Sequence, residues 1–245
     1  MKKFSVIIHS RERVTLLENL LISIQATTTN KADIEVIVAY DFDDTPTAAR
    51  VSLWSERFKD LSVQFHGRVR SKQLNKDYIN WMTKNFTSGK YIWGVNDDVL
   101  FQTPNWDVLA WDLLEAYLKD KPDGVVYGQT DDGTLNKPAI GIFSCFPIIS
   151  KVAADAMGGF FDDEFWSWNA DIAVYYVYER LGRIIDLRDT IKVEHLTHHH
   201  GTNKRAIDSI GINMRDLHNE CGAWGPDTYI GRDVERITKW MDKFK

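Results

Sequence analysis

Three acidic clusters in this 245-residue chain have the residue types and the neighbours that chemistry needs. Asn96-Asp97-Asp98 ends the apolar run Tyr91 to Val95. Hard carboxylate oxygens at such a point suit Mg²⁺ or Mn²⁺, which bind through one or two carboxylates together with substrate phosphates. The ordinary alternative is a solvated turn, for which Asp and Asn are common residues. Asp171 lies in Trp166-Ser167-Trp168-Asn169-Ala170-Asp171-Ile172, where Asn169 is a candidate N-cap and Asp171 falls in the first turn of a helix. An acid there complements the helix dipole or, close to a hydroxyl, takes its proton as a general base. The third cluster, Tyr40-Asp41-Phe42-Asp43-Asp44, closes the apolar run Ile34 to Ala39.

Other groups are candidates for supporting roles. His195 and His198 are the imidazoles placed to complete a metal site, whereas His199 and His200 read as a surface loop. A catalytic zinc held by His195, His198 and a carboxylate stays open, although HxxH leaving a strand lacks the helical geometry of HExxH. Trp166 and Trp168 flank an acidic loop, so their ring faces could stack on a sugar or pack in the core. Arg68, Arg70 and Lys72 could face a diphosphate or simply be solvated. Cys145 and Cys221 form no disulfide scaffold, and neither has a neighbouring base in sequence. A G-x-S-x-G nucleophile elbow is missing as well.

The elements that must position these residues follow from periodicity. Phe4 to His9, Ile34 to Ala39, Leu61 to Phe65 and Tyr91 to Val95 read as strands. Helical spacing covers Leu16 to Ile24, Ala48 to Phe58 and Lys72 to Phe86. This βαβαβαβ order predicts a largely parallel sheet with helices on both faces. Ligands of such sheets bind beyond the carboxyl ends of the strands, where His9-Ser10-Arg11, Tyr40-Asp41-Phe42-Asp43-Asp44 and Asn96-Asp97-Asp98 all fall. Neither a dinucleotide glycine fingerprint nor a P-loop is present. The second half is expected to carry a helix at Trp106 to Leu118, a strand at Gly124 to Tyr127, and an antiparallel flap from Ile140 to Ile149. A helix at Trp168 to Leu181, short strands at Ile184 to Leu187 and Ile191 to Val193, and two C-terminal helices near 204–219 and 227–244 complete the pattern. One domain is expected over 1–245, with a nucleotide side in about 1–100 and an acceptor side in about 101–245.

Composition narrows the function further. Hydrophobic residues make up 44% and charged ones 27%, which excludes intrinsic disorder. Thirty basic against thirty-five acidic residues give a net charge of −5, so nucleic-acid binding is not expected. No apolar run is long enough to span a bilayer, and the N-terminal run is too short for a signal peptide. A cytoplasmic protein is therefore expected.

Taken together, the segments resemble the GT-A glycosyltransferases of the family 2 type. Ser5-Val6-Ile7-Ile8-His9-Ser10-Arg11-Glu12-Arg13 is similar to their first strand and turn, commonly Pro-Thr-x-Asn-Arg, with His9 and Glu12 as departures. Lys90 to Asp98 resembles the strand delivering the DxD motif, here Asn96-Asp97-Asp98, and Gly158 to Phe165 resembles the Gly-Gly-Phe-Asp-Glu segment. Asn169-Ala170-Asp171 stands where the family often has Gly-Glu-Asp, and Val193-Glu194-His195 resembles its late histidine. The resemblance implies an α/β, GT-A (Rossmann-like) fold and transfer of a sugar from a nucleotide sugar, a UDP-sugar first, to a glycan or other hydroxyl acceptor. It assigns Asp171 as base and Asp98 and His195 as ligands of Mn²⁺ or Mg²⁺. Ser10, Arg11, Asp41, Asp43, Lys72, Asn96 and Asp97 are expected to contact the donor, and Trp166 and Trp168 the acceptor. Two rival functions keep the same residues in view: a metal-dependent nucleotidyltransferase, and a carbohydrate-binding protein without catalysis.

Overall fold

The computed structural model describes residues 2–133, 143–167, 170–196 and 229–245. Its centre is a seven-stranded sheet in the order β3-β2-β1-β4-β7-β6-β8. The strands are β1 (Phe4–Ser10), β2 (Ile34–Asp41), β3 (Val63–Arg68), β4 (Tyr91–Asn96), β6 (Tyr127–Gln129), β7 (Ile148–Ser150) and β8 (Ile184–Asp186). The four N-terminal strands are parallel, while β7 runs antiparallel to both β4 and β6. β5 (Val99–Phe101) and β9 (Val193–His195) form a separate antiparallel pair.

Strands β1 and β2 are buried on both faces, which explains their unbroken apolar runs. Phe4, Val6 and Ile8 point into one core layer, with α1 (Val14–Thr27), α3 (Val51–Arg57) and α5 (Trp106–Leu118). Ile7 points into the other. That second layer is covered by a π-helical turn (Asn75–Asn80) continuing into α4 (Trp81–Asn85), by α6 (Lys151–Met157) and α7 (Ala170–Leu181), and by α8 (Tyr229–Met241). The short α2 (Thr45–Ala48) follows β2, capped by Asp44. Helices on both faces are thus observed, as periodicity predicts.

Several boundaries differ from the sequence reading. Ile148 to Ser150 is not part of a flap: it is an inner strand of the main sheet, and the small antiparallel sheet is the β5/β9 pair. The strand expected at 124–127 begins only at Tyr127; the Val126 carbonyl accepts the Ser150 N–H, while its own N–H donates to the Ser150 side chain. The strand expected at 191–193 runs instead from Val193 to His195. The helix expected near 204–219 lies outside the described residues. No helix among the described residues is long and apolar enough to cross a membrane.

Candidate active site

Asp97 and Asp98 form the tight turn from β4 into β5 and are almost completely buried, at 4% and 3% exposure. Both are held from the β1–α1 turn. Ser10 Oγ donates to Asp97 at 2.8 Å, and one Arg13 Nη1 reaches Asp97 at 2.8 Å and Asp98 at 3.1 Å. The β5/β9 ladder sets Val99 opposite His195, and Leu196 N–H donates to the Asp98 carbonyl. This brings His195 Nε2 to 3.4 Å from Asp98 Oδ1, a buried oxygen that makes no hydrogen bond. Burial pushes the Asp97 carboxyl up to about 6, Arg13 opposing and Asp98 adding to the effect. At Asp98 burial acts the same way, but His195 and Arg13 outweigh it and hold that carboxyl below the ordinary range. An orphaned carboxylate oxygen facing an imidazole fits a Mn²⁺ or Mg²⁺ ligand pair. Among the described residues no group of three or more His, Cys, Asp or Glu surrounds one ion site. Asn96 is exposed, and His198 lies outside the described residues.

The second strand end is bound up with the same turn. Asp41 is buried and accepts from Arg11 Nη1 at 2.7 Å and from the Tyr78 hydroxyl. Burial and the Asp41 contact push the Tyr78 hydroxyl up to about 12. Arg11 also pairs with the exposed Asp43 at 2.6 Å. Asp44 accepts from Glu12 N–H at 2.7 Å and tethers one turn to the other. His9 packs on the Tyr78 ring at 4.7 Å, and burial drops its imidazole to about 4, so it is neutral at pH 7. Lys72 is exposed on the loop after β3, whereas Arg68 lies over the Tyr78 and Trp81 rings.

Asp171 stands in the first turn of α7. Burial raises its carboxyl above the ordinary aspartate range, and the charge of Asp132 adds to this. Its Oδ1 accepts the Ile172 N–H at 2.9 Å. Phe146 packs edge-on against His195 at 4.9 Å. Asn75 and Asn80 fix the loop before α7. Asn75 donates to the carbonyls of Phe165 and Ser167, and Asn80 donates to the Phe161 carbonyl and to Asp163. Gly159 has to be a glycine here, since a Cβ would stand 2.5 Å from the Asn80 side chain. Trp166 is half-buried in this loop, and Trp168 lies outside the described residues. Arg13, Tyr78, Asn75 and Asn80 were not singled out for the site by their sequence context. Their partners are remote in the chain, and only Asp41-Phe42-Asp43-Asp44 hinted at the pairing.

This sheet order, with a separate small antiparallel pair, is the GT-A fold. Among solved structures the chain is similar to the mannosyltransferase PcManGT from Pyrobaculum calidifontis in complex with GDP-Man and Mn²⁺. Their TM-score is 0.69 at 16% identity, over 98% of this chain and 69% of that one. It is also similar to S. aureus TarS 1–349 in complex with UDP, with TM-score 0.60 and 13% identity, over 99% of this chain and 91% of that one. A third likeness is to GalNAc-T7 with UDP, GalNAc and Mn²⁺, with TM-score 0.59 and 12% identity, over 98% of this chain and 54% of that one. No protein-family profile and no curated protein sequence matches the chain.

Proposed function

We propose that the protein is a metal-dependent, inverting glycosyltransferase. It would move a sugar from a nucleotide diphosphate sugar, a UDP-sugar first among them, to the hydroxyl of a glycan or similar acceptor. The observation that carries this reading is Asp98 Oδ1, buried without a hydrogen bond and 3.4 Å from His195 Nε2 at the carboxyl edge of a GT-A sheet. An unsatisfied buried carboxylate oxygen is costly, and a divalent cation satisfies it. Asp98 and His195 would hold that ion, which when bound offsets the charge on the leaving diphosphate.

The chain's own residues then divide the work. Ser10 and Arg13 hold Asp97, while Arg11, Asp41 and Asp43 form a polar edge for the nucleoside, with Asn96 and Lys72 as exposed donor contacts. Trp166 and Trp168 are proposed for the acceptor. Asp171 takes the acceptor proton as the new C–O bond forms and the bond to the diphosphate breaks. A single base facing a leaving group gives one displacement and inversion. The complexes of PcManGT with GDP-Man and of TarS with UDP support a nucleotide-sugar donor.

The test is thermal stabilisation by UDP-, GDP-, CMP- and dTDP-sugars, each with Mn²⁺ and with EDTA. A ligand at a hundredfold excess over its Kd stabilises by about 2.7 kcal/mol. A metal-dependent rise with one nucleotide class is expected. A rise with a nucleoside triphosphate alone would favour a nucleotidyltransferase, and one with free glycan alone would leave only a binding protein.

A further inference from the structure

The buried acid pair at the end of β4 presents four carboxylate oxygens, and three of them are engaged. Ser10 Oγ donates to Asp97 Oδ2 at 2.8 Å, while Arg13 Nη1 donates to Asp97 Oδ1 at 2.8 Å and to Asp98 Oδ2 at 3.1 Å. The fourth, Asp98 Oδ1, is buried without a hydrogen bond and lies 3.4 Å from His195 Nε2. The glycosyltransferase reading uses Arg13 to hold Asp97 and gives no role to its second contact, on Asp98. A guanidinium stays charged at any working pH. With Ser10 it engages both Asp97 oxygens, which leaves Asp98 Oδ1 as the open one. Arg13 also places a fixed positive charge on the carboxylate that keeps this open oxygen, and like charges so close repel.

We propose that Arg13 sets the affinity of the site for its divalent cation. It directs the ion to Asp98 Oδ1 and His195, and it holds binding weaker than two buried acids alone would give. Mg²⁺ commonly takes one or two carboxylates and completes its shell with water and substrate phosphates, so an ion held in this way keeps positions for a diphosphate. Arg13 touches no reacting atom. It is a positioning residue, and its role rests on the reading of Asp98 and His195 as metal ligands.

The test is Mn²⁺ binding by calorimetry on the free protein, with stability in EDTA read from urea unfolding. Arg13→Gln leaves two buried acids without their cation, so it should be less stable than wild type in EDTA. It should nevertheless bind Mn²⁺ at least about tenfold more tightly, which is roughly what a unit charge a few ångströms from a divalent ion is worth even at the dielectric constant of water. Arg13→Lys keeps the charge and should bind within about threefold of wild type. A merely structural residue gives the opposite sign, a looser turn and weaker binding. Unchanged or weaker affinity in Arg13→Gln therefore overturns the proposal, and wild-type binding in the same titration leaves the metal reading standing. Arg13→Lys binding as tightly as Arg13→Gln overturns it too, since charge is then not the cause. If neither wild type nor Arg13→Gln binds Mn²⁺, the metal reading itself falls and takes the proposal with it. Should Arg13→Gln fail to fold, the same substitution is made in an Asp97→Asn background, where one acid remains to be paired. The double variant should then bind at least about tenfold more tightly than Asp97→Asn, and equal affinity overturns the proposal.

Discussion

Replacing Asp233 by Asn should make the protein more stable, by much more at pH 8 than at pH 5, where the gain is about 1 kcal/mol. Asp233 lies on the inner side of α8, 2% exposed, in a small cavity lined by Met157, Phe165, Val177 and Ile230. Burial pushes its carboxyl up to about 7; the Asp162 carboxylate adds to this, and Arg236 and Arg232 pull it back. An acid that holds its proton more tightly when folded stabilises the fold while protonated. That contribution is complete below the unfolded value, near 4, and is lost as pH rises through about 7. At about 1.36 kcal/mol per pH unit, the loss between pH 4 and pH 8 is on the order of 4 kcal/mol. The amide copies the protonated acid in shape and cannot ionise, so the variant escapes that loss. For a chain of this size such a difference moves Tm by roughly 10 °C. Urea unfolding followed by circular dichroism, on both proteins at pH 5 and pH 8, measures it, and taking the difference cancels the titrating groups that do not interact with Asp233. A variant less stable than wild type at pH 8 would mean that the Arg236 ion pair at 2.9 Å outweighs burial, and the reasoning would be refuted.

Three further outcomes are expected. Asp171→Asn should lower kcat by about 10² to 10⁴ with donor affinity kept, and in wild type the acid limb of kcat should lie above the ordinary aspartate range; equal turnover in the variant rejects the base. Asp98→Asn and His195→Gln should each weaken Mn²⁺ binding at least about tenfold, read by calorimetry on the free protein, and unchanged affinity removes them as ligands. Glu12 has φ +55°, and asparagine tolerates that region better, so Glu12→Asn should raise stability by about 0.5 kcal/mol, measured as the urea midpoint.

The alternation of strands and helices was legible because β1, β2 and β4 are apolar on both faces and α5 has clear periodicity. Ile148 and Ile149 were not, since a short apolar run reads alike in a surface hairpin and in a sheet centre. Only pairing with β4, Trp93 against Ile148, decides between them. The chemical residues divide in the same way. Asp98, Asp171 and His195 stand out by type and by position at element ends, whereas Arg13 and Tyr78 gain their meaning from partners remote in the chain, Asp97 and Asp41. Arg68, which its sequence context leaves open between a diphosphate contact and a solvated loop residue, stacks its guanidinium over Tyr78 and Trp81.

The β1–α1 turn shows why the strand ends can carry so much buried acid. Arg13 occupies the N-cap of α1 without a side-chain cap, a position where Ser, Thr, Asp or Asn contributes about 1 kcal/mol. Glu12 beside it adopts the left-handed conformation, a further cost on the order of 1 kcal/mol. Both choices disfavour the local structure, and both serve one geometry. With Glu12 turned, Arg11 reaches toward β2 and pairs with Asp41 and Asp43, while Arg13 reaches the opposite way and pairs with Asp97 and Asp98. An uncompensated buried carboxylate costs several kcal/mol, so two modest local penalties are outweighed by neutralising two acidic strand ends. Asp98 is covered on Oδ2 alone, and Oδ1 is left facing His195. The turn therefore stabilises the acidic edge while leaving Asp98 Oδ1 without a hydrogen bond.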